Sequence, residues 1–214
     1  MDSELVQAYN EAFNAAGGHF RDDASGIDVY IRNDSTARRT VIVPWGSTEG
    51  ADWRTNFSFL LKRWAKHPLA REDSKIRVHG GYVTGWMRIR DAVLSAVGYE
   101  DVLVTGYSMG AGMAEIIAVD VACNRPNARL HCVSFDGPKV WNRAGAASFA
   151  RRVPMSTRVM YGNDVVAKVP PFYWGGAIQR HVGPERRWWR LSIRDHIAVQ
   201  DGSVMLPLLE GGPA

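Results

Sequence analysis

Cysteine is scarce in this chain: Cys123 and Cys132 are the only two in 214 residues. That is too few for a disulfide framework or a thiolate zinc site, and both lie in apolar runs, so they read as buried free thiols. A basic stretch followed by an apolar core is also missing from the start, MDSELVQAYNEAF, which therefore does not read as a signal peptide. The longest apolar stretch, Asp101 to Cys123, is interrupted by Glu115 and Asp120, which argues against a membrane span. There is no internal repeat, low-complexity segment or linker. These absences leave a soluble protein, expected in the cytoplasm or exported without a leader, with residues 1–214 forming a single domain.

What is present is an ordinary globular composition, 46% hydrophobic and 22% charged. The net charge of +4 and the pI of about 9.2 are basic, with arginine heavily outnumbering lysine. Basic residues are spread out, apart from Arg186-Arg187-Trp188-Trp189-Arg190. Such a cluster could grip phosphates and stack bases, but it also fits a strand whose tryptophans pack inward, and no nucleic-acid partner is expected. The sequence does not fix an oligomeric state.

Short β-branched runs alternate with stretches of helical spacing. Thr40–Pro44, Ile76–His79, Asp101–Thr105, Leu130–Phe135 and Thr157–Tyr161 read as strands. Leu5–Ala16, Tyr82–Val97, Ser108 to about Ala122 and Asn142–Arg151 read as helices, and Val204–Leu209 is expected to close the chain. In Tyr82–Val97, the residues Val83, Trp86, Ile89, Val93 and Val97 form one apolar stripe. This alternation predicts an α/β fold with a mostly parallel sheet covered by helices on both faces. After Pro170-Pro171 the pattern changes, and Ala177–Val182 with Arg186–Ile193 reads as a late β-hairpin.

At the centre of the chain stands Gly106-Tyr107-Ser108-Met109-Gly110, a G-x-S-x-G pattern between a strand and a helix. A serine at the apex of such a turn is exposed as a nucleophile, and the flanking glycines remove side chains that would collide there. The backbone N–H of Met109, at the helix start, would face a developing oxyanion. Serine needs an imidazole to take its proton, and the imidazole needs an orienting carboxylate. In this arrangement the order is serine, acid, histidine. His131 lies inside a strand and reads as a core residue, and His181 lies in a hairpin arm. His196, in the turn-like RDH stretch, is the candidate base. Among the acids, Asp164 at the end of TRVMYGND leads and Asp136 is held in reserve. Asp195 adjoins His196 but would point elsewhere. His79 reads as structural at a strand end, and Asp52 and Asn56 as capping a helix start. No cofactor and no metal are expected: nothing offers paired ligands at helical spacing or a phosphate cradle.

Several blocks, in order, resemble the fungal-type (class 3) lipases of the α/β-hydrolase fold. VIVPWGSTEGADWRTNFSF resembles a strand ending in an R-G-[ST] turn followed by D-W-x-x-N, and VHGGYVTGW resembles H-x-G-[FY]. VTGYSMGAGMA is similar to the G-H-S-L-G-G-A elbow, VSFDGPKVWN to G-x-P-x-x-G-N, and RVMYGNDVVAKVPP to R-x-x-N-x-x-D-x-V-x-x-[LV]-P-P. RHVGPERRWW resembles Y-x-H-x-G-x-E-x-W, and DHIAVQD the segment with the last histidine. The blocks run from about Val41 to Asp201.

This resemblance implies Ser108 as nucleophile, Asp164 as acid and His196 as base, with Ser47 joining Met109 as oxyanion donor and a lid over about Thr48–Phe57. Tyr107 stands where the family usually has histidine, Met109 where it has leucine, and Pro44-Trp45 where it has Phe-Arg. The polar lid segment, with only Trp53 and Phe57 as large apolar groups, points to soluble or short-chain esters. The leading expectation is thus a carboxylic ester hydrolase, of lipase or esterase type, on a small-molecule or lipid ester, compatible with transient contact at a lipid surface. A thioesterase or phospholipase with the same triad, and a catalytically decayed binding module, are the alternatives.

Overall fold

A computed structural model describes residues 3–23, 26–45, 61–184 and 190–211. The chain opens with helix α1 (Ser3–Phe13), then strands β1 (Gly18–Asp22), β2 (Ile27–Asp34) and β3 (Arg39–Trp45). A short strand β4 (Leu61–Lys62), helix α2 (Pro68–Glu72) and strand β5 (Val78–His79) lead into helix α3 (Gly80–Ala96). Strand β6 (Asp101–Tyr107), helix α4 (Met109–Asn124), strand β7 (Arg129–Phe135), helix α5 (Arg143–Arg152) and strand β8 (Met155–Tyr161) follow. Strand β9 (Ile178–Val182) and helices α6 (Ile193–Ala198) and α7 (Gly202–Leu209) complete the fold.

Among the described residues, seven strands form one sheet in the order β1-β2-β3-β6-β7-β8-β9. The steps from β3 through β9 are all parallel, whereas β1–β2 and β2–β3 are antiparallel. The parallel part is the expected one. The antiparallel entry was not anticipated, although Ile27–Asp34 alternates buried and half-buried residues along six of its positions, the pattern of a strand covered on one face.

Alternate residues of the central strands feed two cores. Ile42, Val102, Val104 and Cys132 pack with α3, α4 and α5 on one face, while Val41, Val43, Leu103, Val133 and Phe135 pack with α1 and α7 on the other. Helices thus cover both faces, as the strands' apolar runs require. The expected stripe on α3 is borne out: Trp86, Ile89 and Val93 are buried and Val83 packs against the same core. Helix α4 is buried almost all round, from Gly110 to Val121. Its two acids are accommodated by hydrogen bonds, as buried charges must be: Trp141 Nε1 and the Gly176 N–H donate to Glu115, and Trp86, Arg90 and Asn124 donate to Asp120.

Two expectations change. Of Ile76–His79 only Val78-His79 is extended, and it pairs antiparallel with β4 outside the main sheet, because Gly80 already opens α3. The first arm of the expected hairpin is β9, which pairs in parallel with β8. Half of the second arm, 186–189, lies outside the described residues, and the Ser192 side chain caps α6, so the chain is helical from Ile193. No helix among the described residues is long and apolar enough to cross a membrane.

Candidate active site

Strand β6 runs parallel to β3 and β7 at the middle of the sheet, and its last residue delivers the chain to Ser108 at the strand's carboxyl end. Ligand sites of parallel sheets are built at that edge. Ser108 has φ 53° and ψ −122°, a sparsely populated conformation for a side-chain-bearing residue. It is held by its N–H, which donates to Phe135 O at 2.9 Å, and by its carbonyl, which accepts from Ala111 N at 3.1 Å. The turn is tight enough that a Cβ at Gly106 would stand 2.8 Å from the Gly110 carbonyl group, and one at Gly110 would collide with the Pro44 carbonyl oxygen. The two glycines of G-x-S-x-G are therefore steric necessities.

The structure brings together the three residues that the sequence singled out. His196 Nε2 lies 2.9 Å from Ser108 Oγ, and His196 Nδ1 lies 2.8 Å from Asp164 Oδ2. A carboxylate only accepts, so Nδ1 carries the proton and Nε2 is left to accept from the serine hydroxyl. Asp164 is fully buried, and its other oxygen accepts from Val166 N at 2.8 Å. His196 sits on α6 and not in the expected turn.

Asp195, the neighbour of His196, points away as expected, but it has a task. Its Oδ2 accepts from Asn163 N at 2.8 Å and its Oδ1 from Ser192 Oγ at 2.8 Å. The residue before the acid is thereby tied to the residue before the base. Asp136 follows β7 with φ 47°, and its Oδ1 accepts from Tyr161 N at 2.8 Å. One carboxyl oxygen of Asp136, one of Asp164 and a ring nitrogen of His196 all lie within 4.8 Å of one another. Burial, with the charge of Asp164, pushes the Asp136 carboxyl well above the usual range.

Tyr107 was read only as a departure from the family pattern. Its ring stacks on His196 and its hydroxyl donates to the His196 carbonyl. A large aromatic immediately before the serine was the available signal. Burial pushes its phenol up, so it stays neutral.

Other histidines stand elsewhere. On β7, His131 Nδ1 lies 3.3 Å from Glu4 of α1, and His181 Nε2 lies 2.6 Å from Gly162 O. His79 is buried at the start of α3, its N–H donating to Val140 O, and burial lowers its imidazole to about 4. Met109 is the first residue of α4, directly after Ser108. Ser47, the lid segment Thr48–Phe57, the capping pair Asp52 and Asn56, and Arg186–Trp189 lie outside the described residues.

Residues 41–174 match the family model described as Lipase (class 3). The chain is 25% identical over 168 residues to a secreted mono- and diacylglycerol lipase of Fusarium solani, covering 75% of this chain and 47% of that one. It is 29% identical over 152 residues to a chloroplastic phospholipase A(1) of Arabidopsis thaliana, covering 62% of this chain and 34% of that one. The chain thus spans half or less of the length of these curated relatives. Among solved structures, the Rhizomucor miehei lipase propeptide complex superposes with a TM-score of 0.73 at 17% identity, over 84% of this chain and 68% of that one. That likeness shows the shared α/β-hydrolase fold. The Fusarium relative is named as secreted, so this comparison does not support the cytoplasmic expectation.

Proposed function

The chain belongs to the class 3 lipase family, and on that footing we propose that it hydrolyses carboxylic esters with Ser108 as nucleophile, His196 as base and Asp164 as orienting acid. One observation carries the reading: the unbroken hydrogen-bonded chain from Ser108 Oγ through both ring nitrogens of His196 to the buried Asp164. In the first half-reaction Ser108 Oγ attacks the ester carbonyl carbon while His196 Nε2 takes the hydroxyl proton. The carbonyl electrons move onto oxygen, where the Met109 N–H and, in this proposal, Ser47 receive the negative charge. Collapse expels the alcohol, which takes the proton from Nε2 and leaves Ser108 acylated. Water then attacks the acyl-enzyme with His196 again as base, and the acid leaves. The whole described chain acts as one catalytic unit, because both cores share the single main sheet.

Short or soluble acyl esters are the substrates this reading favours, on the polarity of Thr48–Phe57. Contact with a lipid surface is supported by Leu191, Ile193 and Ile197, which stand exposed on and beside the helix carrying His196. The phospholipase relative gives a second substrate class a specific basis. A panel of p-nitrophenyl acyl esters, a diacyl phospholipid and an acyl thioester separates these options. Ser108→Ala should lower kcat by roughly 10³- to 10⁶-fold in a folded protein. Near-native turnover in that variant would remove Ser108 from the mechanism, and failure of the wild type to take a fluorophosphonate label would favour a decayed binding module.

A further inference from the structure

Two buried carboxyl groups meet at this site, and an ester hydrolase mechanism uses only one of them. Asp164 is spent as an acceptor at both oxygens, toward His196 Nδ1 and Val166 N. Asp136 has one oxygen engaged by Tyr161 N, while its Oδ2 is buried without a hydrogen-bond donor among the described residues. Both side chains are shut off from water, Asp136 at 1% exposure and Asp164 at 0%. Two carboxylates within 4.8 Å in such a place cannot both ionise. Because Asp164 receives two donors and Asp136 only one, the charge settles on Asp164 and the proton on Asp136.

The surroundings support that division. The buried Arg158 on β8 favours negative charge at the pair, but its Nη2 donates to the carbonyls of Gly137 and Ala167, and its Nε has no hydrogen-bond partner among the described residues. From β6 the neutral phenol of Tyr107 faces the pair, and from α6 the His196 ring. None of these groups donates a hydrogen bond to Asp136 Oδ2. The left-handed backbone at Asp136 is one that aspartate, asparagine and glycine tolerate better than other residues.

We propose that Asp136 is a positioning residue of the triad, a protonated carboxylic acid that donates from Oδ2 to the Asp164 carboxylate and fixes the orientation in which Asp164 meets His196. The proposal rests on the triad reading. Its physical content is that the acid arm is a carboxylic acid–carboxylate pair sharing one proton, and the pair titrates as a unit. The donor from Asp136 stabilises the Asp164 charge and draws part of it away from the imidazole. Without it, Asp164 is a freer carboxylate that holds an imidazolium more strongly and can turn from Nδ1.

The test compares Asp136→Asn and Asp136→Gly in the full chain. The amide of Asn can donate to Asp164 and accept from Tyr161 N, yet it cannot ionise. Gly keeps the backbone conformation and removes the donor. Two readouts are taken: kcat for p-nitrophenyl acetate against pH, and the NMR titration of the His196 ring, assigned by loss of its signal in His196→Gln.

Asn should stay within about threefold of wild type in kcat, with an unmoved ring titration. Gly should lose kcat by roughly 10- to 100-fold at little change in KM, with the ring titration and the acid limb of the profile moved up by about one pH unit. Wild-type behaviour of the Gly variant in both readouts overturns the proposal, and so does equal impairment of Asn and Gly with an unmoved ring titration, which would mark a purely structural role. If no variant, wild type included, cleaves esters while the ring titration still moves in Gly alone, the hydrolase reading fails and the pairing of Asp136 with Asp164 stands.

Discussion

The Tyr107 ring lies over the His196 imidazole, with centroids 4.8 Å apart and planes 22° from parallel, while its hydroxyl donates to the His196 backbone carbonyl at 2.6 Å. One residue thus holds both the ring and the main chain of the base. Tyr107 is in turn backed by Phe13 of α1, at a centroid distance of 5.0 Å, and Gln200 Nε2 donates to its hydroxyl at 3.3 Å. Tyr9 of α1 donates to the Val199 carbonyl, so the first helix grips the segment just after His196 as well.

Tyr107→Phe separates the two holds, since it keeps the stack and deletes the hydroxyl. The loss of the part-buried hydrogen bond to the His196 carbonyl, with the longer exposed one from Gln200, should cost about 1 kcal/mol of stability, with kcat falling several-fold as α6 gains freedom. Thermal unfolding and steady-state kinetics check both numbers. A variant with wild-type kcat would show that stacking alone positions the ring.

At Gly110 a methyl group would collide with the Pro44 carbonyl oxygen, a backbone atom that has no room to retreat inside the sheet. Gly110→Ala should therefore destabilise by about 1–3 kcal/mol and displace Ser108. Gly202, at the start of α7, is the control: the nearest atom to its added Cβ is Leu206 Cδ1 at 3.6 Å. Gly202→Ala should be neutral or stabilising by about 0.5–1 kcal/mol, because alanine loses less backbone freedom on folding. Urea unfolding of the two variants decides the point, and equal stabilities would refute the steric reading of the elbow.

The contrast between what the residues announced and what they hid follows from range. Strands β6, β7 and β8, the elbow and helix α4 were readable because β-branched runs and turn glycines are local signals. The order of serine, acid and histidine was readable because the sheet places successive strand ends along one edge. Asp164 could be preferred over Asp136, yet nothing local showed that their carboxyl oxygens would come so close, since their pairing depends on the register of β7 against β8. The antiparallel β1, GHFRD, carried too little apolar character to stand out from a loop, and the alternation of β2 is confined to a run of six residues. His196 looked like a turn residue because RDH is polar. Its helix is set by the local Ser192 cap and by Asp195 reaching Asn163, a contact 32 residues apart in sequence.

Stability should fall on mild acidification through His79. Its imidazole is buried, and burial lowers it from 6.5 to about 4. Between those values the unfolded chain binds a proton that the folded chain refuses, so the folded state loses ground as pH falls. The effect should be absent above about pH 7, grow between 6.5 and 4, and reach a limit of order 3 kcal/mol. Chemical unfolding at pH 7.5 and 5 measures it against a His79→Gln variant, in which the same pH step should cost less. If wild type and variant lose stability equally, another group governs this range.

Asp195 holds the acid and base segments together. Its carboxylate accepts from Asn163 N and Ser192 Oγ, each at 2.8 Å, and it is 4% exposed. Because Asn163 precedes Asp164 and Asp195 precedes His196, this carboxylate sets the acid and base segments at a fixed separation. Asp195→Ala leaves the Asn163 N–H buried without that acceptor, which should cost about 2–3 kcal/mol, the range for hydrogen bonds to a charged group. The His196–Asp164 contact should loosen with it, lowering kcat roughly tenfold or more with little change in KM. Asp195→Asn keeps a carbonyl oxygen for Asn163 N and should recover most of the activity and part of the stability. Melting temperatures and kcat for the three proteins distinguish the cases: stability lost at constant kcat would mean that the tie supports the fold and leaves the triad geometry untouched.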